Sequence, residues 1–299
     1  LIAKYWDRNQ GVVKKIGWYL IVHLAILWGL FPIFTLQSLS SLGAFMSACL
    51  SQLLALLVIT PFALSNKTFS SIFKLRVMKY VLLSCILTGV IFYSLVFIAV
   101  KHLDPVTISI LLLFELPATY IVLVLFGKEK VRMIQLVGSI LVLIASVMVV
   151  YKEGLAIHSM SILVIIAVFF APMGNYYNKV SREYVSATVF LCVRGVLSAL
   201  FIFVLAIFFE GLPTKGDIYS SLYFIIPNGI LVFGLSKILW VEGIYRISIG
   251  KAISLNSTFP LVTMLGSYLL LGIVPTNIQY YALVPGFLGV YLLTRNNSG

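Results

Sequence analysis

The chain has 299 residues, of which 61% are hydrophobic, 14% aromatic and only 10% charged, with a mean hydropathy of +1.10. A soluble domain is about half apolar and a quarter charged, so this composition cannot clothe a water-exposed surface. The formal net charge of +12 would point to nucleic acid on a soluble fold, but in a membrane protein it reads first as a bias among the loops.

At about 20 residues per helical span, apolar windows place spans near 16–36, 42–63, 80–100, 106–126 and 132–150 in the first half. The second half repeats the count, near 159–178, 187–209, 220–244, 250–271 and 277–294. The expected fold class is therefore an all-α polytopic membrane protein with ten transmembrane helices and tight hairpins near residues 40 and 103. The first span follows basic residues as a signal peptide would, but it is too long and lacks a small-x-small cleavage site, so it is expected to stay as an anchor. The basic, partly amphipathic stretch "FSSIFKLRVMK" before the third span suits a short helix on the inner leaflet. Cys49, Cys85 and Cys192 lie far apart inside apolar stretches and read as packing residues.

Lys and Arg fall unevenly on alternate sides of these spans. One side collects Lys4, Arg8, Lys14, Lys15, Lys67, Lys74, Arg76, Lys79, Lys128, Lys130, Arg132, Lys179, Arg182, Arg246, Lys251 and Arg295; the other has Lys101, Lys152 and Lys215. Sixteen against three places both termini in the cytoplasm.

A shift of about 143 residues lays Pro117 in "FELPATYIVLVLFG" over Pro260 in "STFPLVTMLGSYLLLG". Residues 1–153 and 154–299 then form two five-helix repeats of one transport domain. An odd number of spans in each makes the second half inverted relative to the first, which suits alternating access around a central cavity.

The segments "WGLFPIF", "YSLVFIAVKHLDPVTISILLLFELPATYIVLVLFGKEKV" and "LWVEGIYRISIGKAISLNSTFPLVTMLGSYLLLG" resemble the EamA-like family of the drug/metabolite transporter superfamily. The resemblance covers nearly the whole chain and implies a ten-helix carrier of small metabolites with a central cavity. The chain reads "SQLLALL" where that family often has an Arg-Phe pair, keeps a basic residue as Arg194 in the second half, and carries Glu115 where an uncharged residue is commoner.

An ionisable group at mid-membrane costs a few kcal/mol, so it turns inward to a partner or a cavity. Glu115 lies two residues before Pro117, whose missing N–H favours a kinked helix opening onto a cavity. It is a candidate for binding a cationic group or a proton, the alternative being an ion pair with Arg194 or Lys237. Arg194 suits a carboxylate held by two parallel hydrogen bonds, and Lys237 reaches the same region from the eighth span. Glu242, a turn nearer the cytoplasm, is expected to pair with Arg246 or Lys251. His23 is a candidate proton relay. Trp28, Tyr93, Tyr120, Tyr176, Tyr177 and Trp240 are candidate cavity aromatics, and Asn175, Asn228, Asn256 and Ser257 candidate polar contacts. Pro117 and Pro260 are the helix-kink positions.

No phosphate-binding loop, metal-ligand spacing or Ser/His/Asp arrangement stands out, so no cofactor, metal or enzymatic activity is expected. The partners expected are a small-molecule substrate and the lipid bilayer, without nucleic acid, in a monomer or homodimer. The sequence reading is a secondary transporter in the plasma membrane, a bacterial inner membrane, moving a small polar or zwitterionic metabolite such as an amino acid. Proton-coupled efflux of lipophilic or quaternary ammonium cations and a lipid-handling or structural subunit are the alternatives.

Overall fold

The computed structural model describes residues 2–125, 133–152, 156–157 and 159–294. Apolar runs of this length satisfy their own N–H and C=O groups only as helices, and that is the form they take. The first rod is α1 (Ile2–Gly29) and α2 (Phe31–Ser38), and α3 (Ala44–Leu64) returns. The third joins α4 (Leu75–Ser84), a π-helical stretch Cys85–Phe92 and α5 (Tyr93–Val100). The fourth is α6 (Pro105–Leu112) followed by α7 (Glu115–Leu125), and α8 (Met133–Val150) follows.

In the second half, α9 (Ser159–Ser181) and α10 (Ala187–Phe209) are single helices. The next rod joins α11 (Lys215–Pro227), a second π-helical stretch Asn228–Leu235 and α12 (Ser236–Arg246). Then come α13 (Ile249–Asn256), α14 (Phe259–Leu271) and α15 (Asn277–Thr294). Among the described residues eight rods are long and apolar enough to cross a membrane, and Met133–Val149 is a shorter apolar helix. The β-structure among the described residues is a two-residue antiparallel ladder, Tyr151–Lys152 against Ala156–Ile157, between α8 and α9.

Polar caps start several helices where the sequence leaves the apolar pattern. Asp104 accepts from Thr107 N at 2.9 Å to start α6, and Thr214 and Asp217 form a capping box on α11. Gly272, at φ +66°, ends α14. The "FSSIFKLRVMK" stretch is not a separate surface helix: Phe69–Phe73 is a short 3-10 turn and α4 begins at Leu75. Fully buried Ile72 and nearly buried Val77 tie it into the body.

The prolines act differently from the expected kinks. The fourth rod stops after Leu112 and restarts at Glu115, with Pro117 in the first turn of α7, where a missing N–H leaves nothing unsatisfied. Pro260, the second residue of α14, likewise lies in the first turn. Both breaks are bridged by tightened bonds, Phe114 N to Leu111 O and Ser257 N to Ser254 O, each at 3.1 Å.

Contacts at helix ends define two faces. At one, which carries most of the described basic residues of the loops, Ser186 N donates to Thr68 Oγ1 at 3.1 Å and Lys179 Nζ to the Ile247 carbonyl at 2.9 Å. At the other, the Glu210 carboxylate accepts from Phe45 N and Met46 N, both at 2.9 Å, capping α3. Gln279 Nε2 there donates to Asp104 at 2.7 Å.

The α8 and α15 backbones touch at two glycines. A Cβ on Gly289 would lie 2.5 Å from the Gly138 carbonyl oxygen, and one on Gly138 would lie 2.8 Å from the Gly289 oxygen. Gly289→Leu is expected to push the helices apart and lower stability by about 1–3 kcal/mol or more, measured as a fall in melting temperature of the purified protein. An unchanged melting temperature would show that this crossing contributes little.

Candidate functional site

The charged residues singled out inside the spans meet in one place. A small cavity, with about 50 Å³ of room for water, is walled by Leu24 and Trp28 of α1, Thr88, Phe92 and Tyr93 of the third rod, and Glu115 of α7. The second half supplies Ala171, Asn175, Asn178, Arg194, Lys237, Trp240 and Asn256.

The break before α7 sets Glu115 at a helix start, and its Oε1 accepts from Asn175 Nδ2 at 3.1 Å. Asn175 Oδ1 accepts from Trp240 Nε1 at 2.8 Å and from Asn178 Nδ2 at 3.2 Å. Asn178 Oδ1 takes the Ser84 hydroxyl, Ser84 Oγ lies 3.4 Å from Thr88 Oγ1, and Thr88 Oγ1 accepts from Arg194 Nη1 at 3.1 Å. Four uncharged side chains therefore stand between the acid and the arginine. The alternative of a direct ion pair is not formed: among the described residues no basic group lies within 4.0 Å of the Glu115 carboxylate.

Lys237 holds its ammonium 3.6 Å from the Trp28 ring centroid and 5.4 Å from that of Tyr93. This cation–π seat replaces part of the hydration the ion has lost. Trp28 is itself stacked on Phe31 at 4.6 Å, and Phe31, Phe97 and Phe233 continue the aromatic layer. Arg194 is only 7% exposed, and its Nε has no partner; nor does Asn256 Oδ1. A buried polar atom without a partner costs about 1–3 kcal/mol, so two residues of the cavity wall carry unused hydrogen-bonding capacity. The two bases and one acid give the wall a formal charge of +1 when all are ionised.

Of the other sequence candidates, Trp28, Tyr93, Trp240, Asn175 and Asn256 line the cavity. His23, Tyr176 and Ser257 are not brought to it. His23 is exposed and its Nδ1 bonds the Tyr19 carbonyl at 2.7 Å. Tyr176 is 40% exposed and packs edge-on against Tyr177. The Ser257 hydroxyl is spent on the Ile253 carbonyl at 2.8 Å. Each is one residue from a true wall residue, and one residue turns a helix by about 100°. Thr88 and Asn178 escaped the sequence reading. For Asn178 a signal existed, since an amide three residues after Asn175 shares its face; an isolated Thr88 in "ILTGVIF" carries none.

Glu242 accepts from Arg182 at 2.8 Å and also pairs with Arg246, as expected. Together with the Lys179 bond to Ile247, these contacts join α9 to the end of α12 on the basic side of the cavity.

A polytopic helical membrane body, two similar halves and a buried cavity carrying charges of both signs define the class of membrane transporters. The EamA-like transporter family model matches the chain twice, over residues 15–151 and 158–295. The chain belongs to that family. The junction of the two matches falls at the short β-ladder. A solved crystal structure overlays with a TM-score of 0.67 at 18% identity, covering 92% of this chain and 96% of its own, a likeness of fold alone. None of the curated proteins matches the chain.

Proposed function

We propose that the chain is a secondary transporter that moves a small zwitterionic metabolite, an amino acid in its simplest form, across the plasma membrane by alternating access. Its ten spans form inverted halves, 1–153 and 154–299, with both termini in the cytoplasm. The inverted arrangement is supported by recurring irregularities: π-helical stretches at Cys85–Phe92 and Asn228–Leu235, 143 residues apart, and helix breaks before Glu115 and before Phe259.

The observation that carries the substrate class is that Glu115, Arg194 and Lys237 face one cavity without pairing directly. A substrate ammonium has Glu115 and Asn256 on the cavity wall to receive it, and a substrate carboxylate has the Arg194 guanidinium. Binding of a quaternary ammonium is less well supported, because Lys237 already occupies the Trp28 face such a cation would take.

The experiment is a thermal-shift screen of the purified protein against amino acids, amines, organic acids and nucleobases, followed by liposome uptake of the hits. Ligands of the folded state raise the melting temperature by mass action. Zwitterions are expected to stabilise; a response to amines or organic acids alone would overturn the substrate class. Cysteine labelling or reporter fusions should find Thr68 and Lys179 on the cytoplasmic side and Lys215 outside. A C-terminus found outside would overturn the topology and the inverted repeat together.

A further inference from the structure

Thr35 lies seven residues along the first rod from Trp28, about 10 Å by helical rise, and there begins a second polar cluster. Asn228 Nδ2 donates to Thr35 Oγ1 and to Ser51 Oγ, both at 3.2 Å, and the Ser38 and Ser47 hydroxyls bond each other. All five residues are fully buried, and none lines the cavity. The Asn228 Oδ1 atom has no partner. Uncharged polar side chains in a membrane helix bundle require partners or a use, and this cluster has one acceptor more than it satisfies.

Its position repeats that of the cavity wall. Thr35 and Ser38 are the third and sixth residues after Pro32, and Asn175 and Asn178 are the third and sixth after Pro172. Asn228 opens one π-helical stretch, and Ser84 immediately precedes the other. The Thr35–Asn228 contact joins α2 to the second π-helix as the Asn178–Ser84 contact joins α9 to the end of α4, although residue for residue Thr35 corresponds to Asn175 and Asn228 to Cys85. One cluster borders the cavity and its counterpart is sealed.

We propose that Thr35, Ser51 and Asn228 form a second polar wall, which meets the same small zwitterionic substrate when the protein opens to the face opposite the basic loops. The proposal rests on the transport reading above. In an inverted repeat each half takes on the other's shape as the state changes, so the sealed cluster opens as the Asn175–Asn178–Ser84 cluster closes. The two walls are not chemically equal. The shift that lays Pro117 on Pro260 lays Glu115 on Thr258, so the second wall has hydroxyls and an amide but no matching carboxylate. A substrate ammonium leaves its charged partner on crossing, and binding from that face is the weaker.

The test is accessibility to the membrane-impermeant thiol reagent MTSES, added to one face at a time in vesicles holding Thr35→Cys or Asn178→Cys. The native Cys49, Cys85 and Cys192 are buried, and the unaltered protein sets the background. Asn178→Cys is expected to react only from the basic face and Thr35→Cys only from the opposite face, each at least tenfold above background. Ser51→Cys replaces Thr35→Cys if the latter is not recovered folded. Reaction of Asn178→Cys with both other positions at background from either face, or reactive only from the basic face, would overturn the second wall and leave the transport reading standing. Background labelling at every position, together with no zwitterion uptake by the unaltered protein, would overturn both.

Discussion

Glu115→Gln is expected to fold and insert normally and to lose substrate uptake. Glutamine keeps the shape of the side chain and an oxygen for the Asn175 amide, whose present bond is 3.1 Å long. It removes the only acidic group on a wall that also carries Arg194 and Lys237. Among the described residues no basic group lies within 4.0 Å of that carboxylate, so the substitution breaks no direct ion pair there, and melting temperature and yield should change little. A hydrogen bond from a substrate ammonium to a charged acceptor contributes about 1.5–3 kcal/mol, so uptake efficiency should fall about 10- to 100-fold. Purified yield, melting temperature and liposome uptake across pH separate the outcomes. Unchanged uptake at every pH would make Glu115 a bystander, whereas a large loss of yield would make it structural.

The residues that were legible in the sequence share one property: their chemistry is costly in a bilayer. Glu115, Arg194 and Lys237 could be picked out because a charge at mid-membrane has to face something, and all three reach the cavity. Pro117 and Pro260 were legible as a repeated irregularity, although whether a proline kinks a helix or starts one depends on the neighbouring turn. The two π-helical stretches were invisible, because neither "CILTGVIF" nor "NGILVFGL" departs from an apolar span. Which of two adjacent residues turns inward was also hard to read, as for Asn175 against Tyr176: the amide pair Asn175 and Asn178 marks one face, and packing against α12 through Trp240 fixes it.

Lys237→Met is expected to make the protein more stable and inactive. Lys237 sits on the face of Trp28 at 3.6 Å, with no carboxylate within 4.0 Å among the described residues. A cation–π contact contributes about 2 kcal/mol where the cation is desolvated, and loss of hydration costs an ammonium several kcal/mol. The balance is unfavourable to folding unless the more distant Glu115 charge makes up the difference. Methionine has similar length, and its sulfur packs well on an aromatic ring. The melting temperature should therefore rise, by an amount equivalent to about 1–3 kcal/mol, while stabilisation by zwitterions and liposome uptake are lost. The combined Glu115→Gln, Lys237→Met variant tests the remaining term. If the two charges support each other across the cavity, the single effects will not add, and the coupling will exceed about 0.5 kcal/mol. A lower melting temperature for Lys237→Met, together with such coupling, would make the lysine a structural counter-charge to Glu115. A higher one with additive effects leaves recognition of the substrate as the reason for a buried ammonium at this place.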